Sequence, residues 1–304
     1  MSTDPNTIDF SDRHLYIGGS EIAAVVGLNP YKTPLQVYQE KRGEAEPEDL
    51  SDNEAVHFGN VLEDVIAEEF SRRNAVQVRR DNTVYTLDDS PIRGHIDRRL
   101  VGVKEGLECK HASFFFASEF GEEGTDQLPM HYLIQCHGYL ALTGWETWHL
   151  GVLCGGNNFR QYTVTRDDDL CQSLVDQVNH FWANLQQGIP PEPMNLEDLI
   201  RLYPTDDGGS IGATIDIAQA CTDLNTIKAD LKQIDARKKE LEMKIKKHMG
   251  SHALLIGPDE GLKPIATWKH NDVNRIDTTA LKKEMPDIAE RYTVTSTQRR
   301  FLIK

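Results

Sequence analysis

Asp97, then ten residues, then Glu108-Cys109-Lys110 is a spacing that could do chemistry. On an extended strand successive side chains point to opposite faces. Glu108 and Lys110 therefore share a face, and Cys109 points away. If the chain turns at Gly102-Val103, Asp97 lies directly across from Glu108. A register shifted by two residues sets it across from Lys110 instead. Both put the three groups on one face, whereas a slip of one residue would not. Two carboxylates about 5 Å apart repel by roughly 3 kcal/mol at an effective dielectric near 20. A shared proton, a lysine or a divalent cation would offset that. Oxygen donors with no Cys/His cluster nearby suit Mg²⁺ or Mn²⁺ rather than zinc. Such a cation lowers the pKa of its water and stabilises charge on a phosphoryl oxygen. A neighbouring lysine orients the water, which is what phosphodiester hydrolysis needs. On an ordinary surface the same three residues would be a cross-strand salt bridge, so the surrounding sequence has to decide.

The elements that must position these residues follow from periodicity. Residues 54–73 predict a helix with Phe58, Val61, Leu62, Val65, Ile66 and Phe70 on one side. A strand is expected at 82–88. Strands at 93–101 and 107–111 follow, joined by a tight turn containing Gly102 and Gly106. A helix at 127–143 ends at Gly144. Strands at 147–154 and 159–165 flank a Gly-Gly-Asn-Asn hairpin turn, and Asp167–Asp169 cap a helix to about 187. Earlier, Gly18-Gly19-Ser20 reads as a turn with Ser20 as a helix N-cap. The fold class is a mixed α/β core over 1–190, its central sheet flanked by helices. Ile189-Pro190-Pro191-Glu192-Pro193 opens a linker over 191–214. A mostly helical extension occupies 215–304. Its long helix, 215–249, carries Ile217, Ala220, Leu224, Ile227, Leu231, Ile234, Leu241 and Ile245 at heptad spacing, interrupted by Lys238 and His248. A helix packed on its own domain and an intermolecular coiled coil both fit that pattern. The tail, 253–304, reads as a small, locally basic α/β piece with Trp268 in its core. Phe114-Phe115-Phe116 reads as core or interface, with an aromatic wedge for splitting a duplex as the alternative.

The D-x(10)-E-x-K spacing resembles the motif of PD-(D/E)XK nucleases. More narrowly, the chain resembles the YqaJ/lambda-exonuclease family of phage recombination nucleases. Four further features carry this: Ile17-Gly18-Gly19-Ser20-Glu21, Arg13 seven residues before that serine, Glu63 in a Gly-x3-Glu helix, and Tyr132-Leu133-Ile134-Gln135. The resemblance implies a restriction-endonuclease-like fold in which Asp97 and Glu108 bind metal and Lys110 activates or positions water. It also implies that Glu63 helps hold a second metal, that Gln135 supports the site, and that Arg13 and Ser20 contact a DNA 5′-phosphate. The Cys109 carbonyl is a plausible additional ligand for a hard cation. On the helix itself Glu69 competes with Glu63, and only the motif favours Glu63. The sequence departs from the family where Ile96-Asp97-Arg98 replaces a common Pro-Asp-Gly and where His111 follows the lysine.

The implied activity is Mg²⁺-dependent exonucleolysis (Mn²⁺ also serving) of linear double-stranded DNA, 5′→3′. It leaves 3′ overhangs for a single-strand annealing protein, and the implied assembly is a homotrimer. The alternatives are an endonuclease, a Cas4-like or RecB-like nuclease, or a non-catalytic module that binds DNA ends or protein. The five cysteines are scattered without a CxxC pair, so they supply neither an iron–sulfur nor a structural zinc site. With no long apolar run and no basic, apolar start, a membrane span and a secretory leader are not expected; the cytoplasm of a host cell, in a phage or prophage context, is. The net charge of −15 opposes nucleic-acid binding overall. Bases nevertheless cluster at Arg72-Arg73, Arg79-Arg80, Arg93 and Arg98-Arg99, which a locally basic channel would use.

Overall fold

A computed structural model describes residues 12–258, 263–295 and 298–303. The opening segment 1–11, and part of the basic tail, lie outside the described residues. The chain forms two compact units, Met1–Arg201 and Leu202–Lys304.

The first unit is built on a five-stranded mixed sheet in the order β1 (Val78–Thr86), β2 (Arg93–Leu100), β3 (Glu105–Ala112), β4 (Thr147–Cys154), β5 (Asn158–Thr165). All neighbours are antiparallel except β3 and β4, which run parallel from Glu105 opposite Thr147 to Ala112 opposite Cys154. A parallel pair needs a crossover, and this one contains helix α4 (Met130–Thr143), closed by Gly144 at φ 68°. On one face of the sheet lies α3 (Glu54–Asn74), whose Ile66, Ala67 and Phe70 pack on Leu100, Leu107, Cys109 and Phe159. Asn53 caps this helix by accepting from the Ala55 and Val56 N–H groups. On the other face α4 covers Trp148, whose ring stacks on Tyr139 at 4.9 Å. Helix α5 (Asp168–Gln187) packs on α4 and on α1 (Ile22–Val25).

Several sequence expectations shift. Gly106 is not part of the turn. It lies in β3, where an added Cβ would come within 2.4 Å of the Trp148 ring, so this strand position needs a residue without one. β1 begins four residues earlier than expected, at Val78. The helix expected from 127 starts at Met130, after Pro129. Ser20 does not cap a helix. Gly19–Glu21 form a single 3-10 turn leading into α1, and the Glu21 carboxylate itself accepts the Gly18 N–H at 2.9 Å. Helix α2 (Pro34–Lys41) was not expected, although Thr33, Pro34 and Gln36 are a capping box with proline at the first turn. Helix α6 (Leu196–Leu202) is tied to α2 by the buried Asp198, which accepts from the Thr33 hydroxyl at 2.8 Å. Phe114 and Phe115 are 72% and 88% exposed, so they are not core.

The second unit holds the 35-residue helix α7 (Ile215–Met249), the hairpin β6 (Leu254–Ile256) and β7 (Pro264–Thr267), and the short helices α8 (Thr278–Glu284) and α9 (Pro286–Arg291). Trp268 is half exposed rather than buried in a core. No described helix is long and apolar enough to cross a membrane.

Candidate active site

The β2–β3 ladder pairs Arg99 with Gly106 and Arg98 with Leu107. Continued by one residue, this register sets Asp97 opposite Glu108, the first of the two registers open from the sequence. Alternation then puts Asp97, Glu108 and Lys110 on the face covered by α4, while Leu107 and Cys109 face α3. The Asp97 carboxylate does not stand free. Its Oδ2 accepts the Cys109 N–H at 3.0 Å, which fixes it between the strands. Lys110 Nζ lies 2.5 Å from Glu108 Oε1. The same oxygen accepts from Gln135 Nε2 at 2.7 Å, and Gln135 also donates to the Tyr139 hydroxyl at 3.2 Å. Gln135 thus reaches the site from α4, one helical turn from the Tyr139 ring that packs against Gly19. An added Cβ at Gly19 would sit 2.5 Å from that ring, so the glycine lets the N-terminal turn seat beside the site.

Glu108 is 2% exposed, and among the described residues its Oε2 is buried without a hydrogen-bond partner. A buried unsatisfied carboxylate oxygen is costly, so this atom points to a ligand. Burial, and then the Glu108 charge, push the Asp97 carboxyl up to about 7, against the pull of Lys110, the Cys109 N–H and Arg98. Burial disfavours the Lys110 ammonium, but Glu108 and Asp97 more than offset it and hold its pKa above the ordinary lysine value. The Tyr132 ring, 5.4 Å from Nζ, lies beside the same cation. Burial also raises the Cys109 thiol, which leaves the backbone carbonyl as that residue's oxygen donor.

Glu63 and Glu69 part company in the structure. Glu69 takes Arg72 and Arg73 at the helix surface, at 2.8 and 2.7 Å. Glu63 lies on the buried side of α3, one turn before Ala67, and its carboxylate is held by Arg98. Phe58, Val61 and Val65 occupy the other side of α3 and are exposed. The buried face of α3 is therefore centred on Ile66, Ala67 and Phe70, rotated away from the apolar stripe of the sequence, and it takes Glu63 rather than Glu69. Arg98, expected among the bases of a DNA channel, is instead buried and paired beside the site. It is 4% exposed, and its guanidinium also donates to the Asp97 carbonyl at 2.7 Å and to Asp64 at 2.5 Å. The signal was present as the arginine standing where the family pattern has glycine. Arg13 and Ser20 lie on the N-terminal 3-10 turns rather than on the strands that carry Asp97, Glu108 and Lys110. The Arg13 guanidinium lies 3.8 Å from the buried Glu21, which is bound by Lys41 at 2.8 Å, and Ser20 is exposed on the adjacent turn.

No cluster of three His, Cys, Asp or Glu side chains able to hold a metal occurs among the described residues. The donors at hand are two carboxylates, one with an orphaned oxygen, and the Cys109 carbonyl. That set fits a single hard cation that keeps several waters, the usual habit of Mg²⁺. A second cation at Glu63 would have to displace Arg98. Beside this region Asp64, Arg72, Arg79, Arg80 and Arg98 line a groove of about 750 Å³ between α3 and β1.

A family model described as the YqaJ-like viral recombinase domain matches residues 10–146. The protein YqaJ of Bacillus subtilis (strain 168) is 31% identical over 303 residues, covering 96% of this chain and 92% of its own. Among solved structures, the alkaline exonuclease LHK-Exo of Laribacter hongkongensis is 14% identical with a TM-score of 0.47, covering 64% of this chain and 95% of that one. A phage related exonuclease from Haemophilus somnus 129PT is 14% identical with a TM-score of 0.44, covering 58% and 97% respectively.

Proposed function

The chain belongs to the YqaJ-like viral recombinase family, within the PD-(D/E)XK superfamily of nucleases, and on that premise we propose that it is a Mg²⁺-dependent exonuclease of linear duplex DNA. The observation that carries this reading is the buried, unpaired Glu108 Oε2 beside Asp97 and Lys110. A bound Mg²⁺ supplies a more acidic water and charge stabilisation at the phosphoryl oxygen. Asp97, fixed by the Cys109 N–H, and Glu108, fixed by Gln135 and Lys110, hold oxygens in place for that cation. Lys110, kept protonated, donates. Its role is to orient the attacking water and to lie against the charge that develops on the phosphate. Tyr132 and Gln135 restrict the positions that lysine and Glu108 can take.

Arg13 and Ser20 are assigned to the 5′-phosphate of the end being digested. The groove lined by Arg72, Arg79 and Arg80 is assigned to the duplex backbone, with Arg72 and Arg80 exchanging the surface acids Glu69 and Asp64 for phosphate. Degradation runs 5′→3′ and leaves a 3′ overhang, the substrate a single-strand annealing protein requires. The test compares duplexes labelled at each end, with 5′-phosphate or 5′-hydroxyl termini, against covalently closed circles. The expected result is loss of the 5′ label first, faster from the phosphate, with circles untouched. Cutting of closed circles would contradict the exonuclease reading. Equal rates from the two termini would remove the assignment of Arg13 and Ser20.

A further inference from the structure

Among the described residues, helix α7 keeps one apolar face uncovered. Ile217, Ile227, Leu231, Ile234, Leu241 and Ile245 recur at heptad spacing and are between 41% and 63% exposed. The β6–β7 hairpin does not account for that face. Its flanking Trp268 borders Lys239, Glu242, Met243, Lys246 and Lys247, of which Glu242 alone flanks the seam, at an e position, and the others lie round the helix from it. A straight apolar seam on a helix about 52 Å long is the geometry of a coiled coil.

The charges beside the seam say what covers it. With Ile217 at position a and Ala220 at d, the g positions are Asp216, Asp223, Asp230, Arg237 and Lys244. The g row is therefore acidic in its first half and basic in its second. The e positions include Lys228, Asp235 and Glu242. Two such helices laid antiparallel, with Leu231 against Ile234 and Leu224 against Leu241 of the second copy, bring g beside g and e beside e. Asp230 then meets the second copy's Arg237, Asp223 its Lys244, and Lys228 its Asp235. Every pair is opposite in sign, and two-fold symmetry repeats each one. A parallel pair instead sets g against the following e: Asp223 would meet the second copy's Lys228 and Arg237 its Glu242, but Asp230 would face its Asp235, so only the antiparallel pairing is free of a like-charge contact. In the single chain Arg237 pairs with Glu240 at 2.6 Å on its own helix, a surface contact that leaves the g-row pairing open to it. The polar interruption at Lys238 falls against Ile227, and His248 falls at the end of the overlap against Ile217. Polar residues at seam positions restrict which registers are acceptable.

We propose that α7 is a self-association surface, pairing two copies of this chain as an antiparallel two-stranded coiled coil. This rests on the second unit alone and is independent of the nuclease reading. The experiment uses the full chain and reads mass in solution and cross-linking. The wild type is expected to associate in multiples of two chains at micromolar concentration. Asp230→Arg sets like charges together at both ends of the dyad and should weaken association at least about tenfold. Adding Arg237→Asp to it should restore association. Glu242→Cys, treated with a mild thiol oxidant such as diamide, should give a disulfide-linked two-chain species through Cys221, which is exposed while the other four cysteines are buried. In a parallel pair positions 221 and 242 would be about 31 Å apart and would not link. A single-chain mass, association strengthened by Asp230→Arg, or no Cys221 cross-link would overturn the proposal.

Discussion

At the scale of single residues, the site is an arrangement of charges that the fold alone does not favour. Burial, and then the Glu108 charge, push the Asp97 carboxyl up to about 7 from the ordinary 3.8. The folded chain therefore keeps a proton that the unfolded chain has lost, and ionising Asp97 weighs against the fold as pH rises between those values. Asp97→Asn keeps an oxygen for the Cys109 N–H and removes that charge. In metal-free buffer its melting temperature should match the wild type below about pH 4 and exceed it increasingly up to about pH 7, where the gain levels off at a few kcal/mol at most. A stability difference that does not change with pH would show that Asp97 carries no such strain. Mg²⁺ should raise the melting temperature of the wild type and leave Asp97→Asn unmoved, because only the intact carboxylate pair holds the cation. Arg98 has the opposite character, since its buried guanidinium joins Glu63, Asp64 and the Asp97 carbonyl. Arg98→Met should cost about 2–3 kcal/mol in urea unfolding, the scale for losing charged hydrogen bonds to partly exposed acids. A change below about 0.5 kcal/mol, the level of an ordinary surface substitution, would remove Arg98 from the account.

At the scale of elements, the site exists because two antiparallel strands present three groups on the face that α4 covers. Gly106 shows how closely that face is packed. Gly106→Val would drive a branched side chain into the Trp148 ring. It should destabilise the protein by about 1–3 kcal/mol, the usual range for overpacking a filled core, which denaturant unfolding would measure; an unchanged midpoint would mean that β3 and β4 have slack there. The same residue marks the limit of what the sequence disclosed. Alternation placed Asp97, Glu108 and Lys110 on one face, and Gly102-Val103 located the turn. The reason for Gly106 was the ring of Trp148, 42 positions away in the chain, and no local pattern carries that. The stripe on α3 misled for a related reason. Phe58, Val61 and Val65 are as apolar as Ile66 and Phe70, and only the position of the sheet decides which flank is buried. Helix α2, by contrast, has a local signal legible in the sequence, the capping box at Thr33–Gln36. The parallel pairing of β3 with β4 depends on the path through α4, which strand patterning alone does not specify.

At the scale of the whole molecule, the two units differ in what holds them. The first buries residues on both faces of its sheet, whereas beyond residue 202 Met249 is the buried residue among those described. Amides of α7 should therefore exchange with solvent far faster than those of β3 and β4 in dilute protein, and should become protected as concentration rises. Equal exchange at every concentration would mean that the helix is stabilised within one chain. Metal-dependent hydrolysis by the first unit can be measured directly. Linear duplex DNA is incubated with Mg²⁺ and either the wild type or Lys110→Ala, with the fold of the variant checked by its melting curve, and acid-soluble nucleotide is counted. The wild type is expected to release nucleotide, and release is expected to stop when Mg²⁺ is chelated. In Lys110→Ala it should be at least about 100-fold slower, equivalent to about 2.7 kcal/mol in the barrier. Absence of release by the wild type with either Mg²⁺ or Mn²⁺, or full activity in Lys110→Ala, would contradict this assignment.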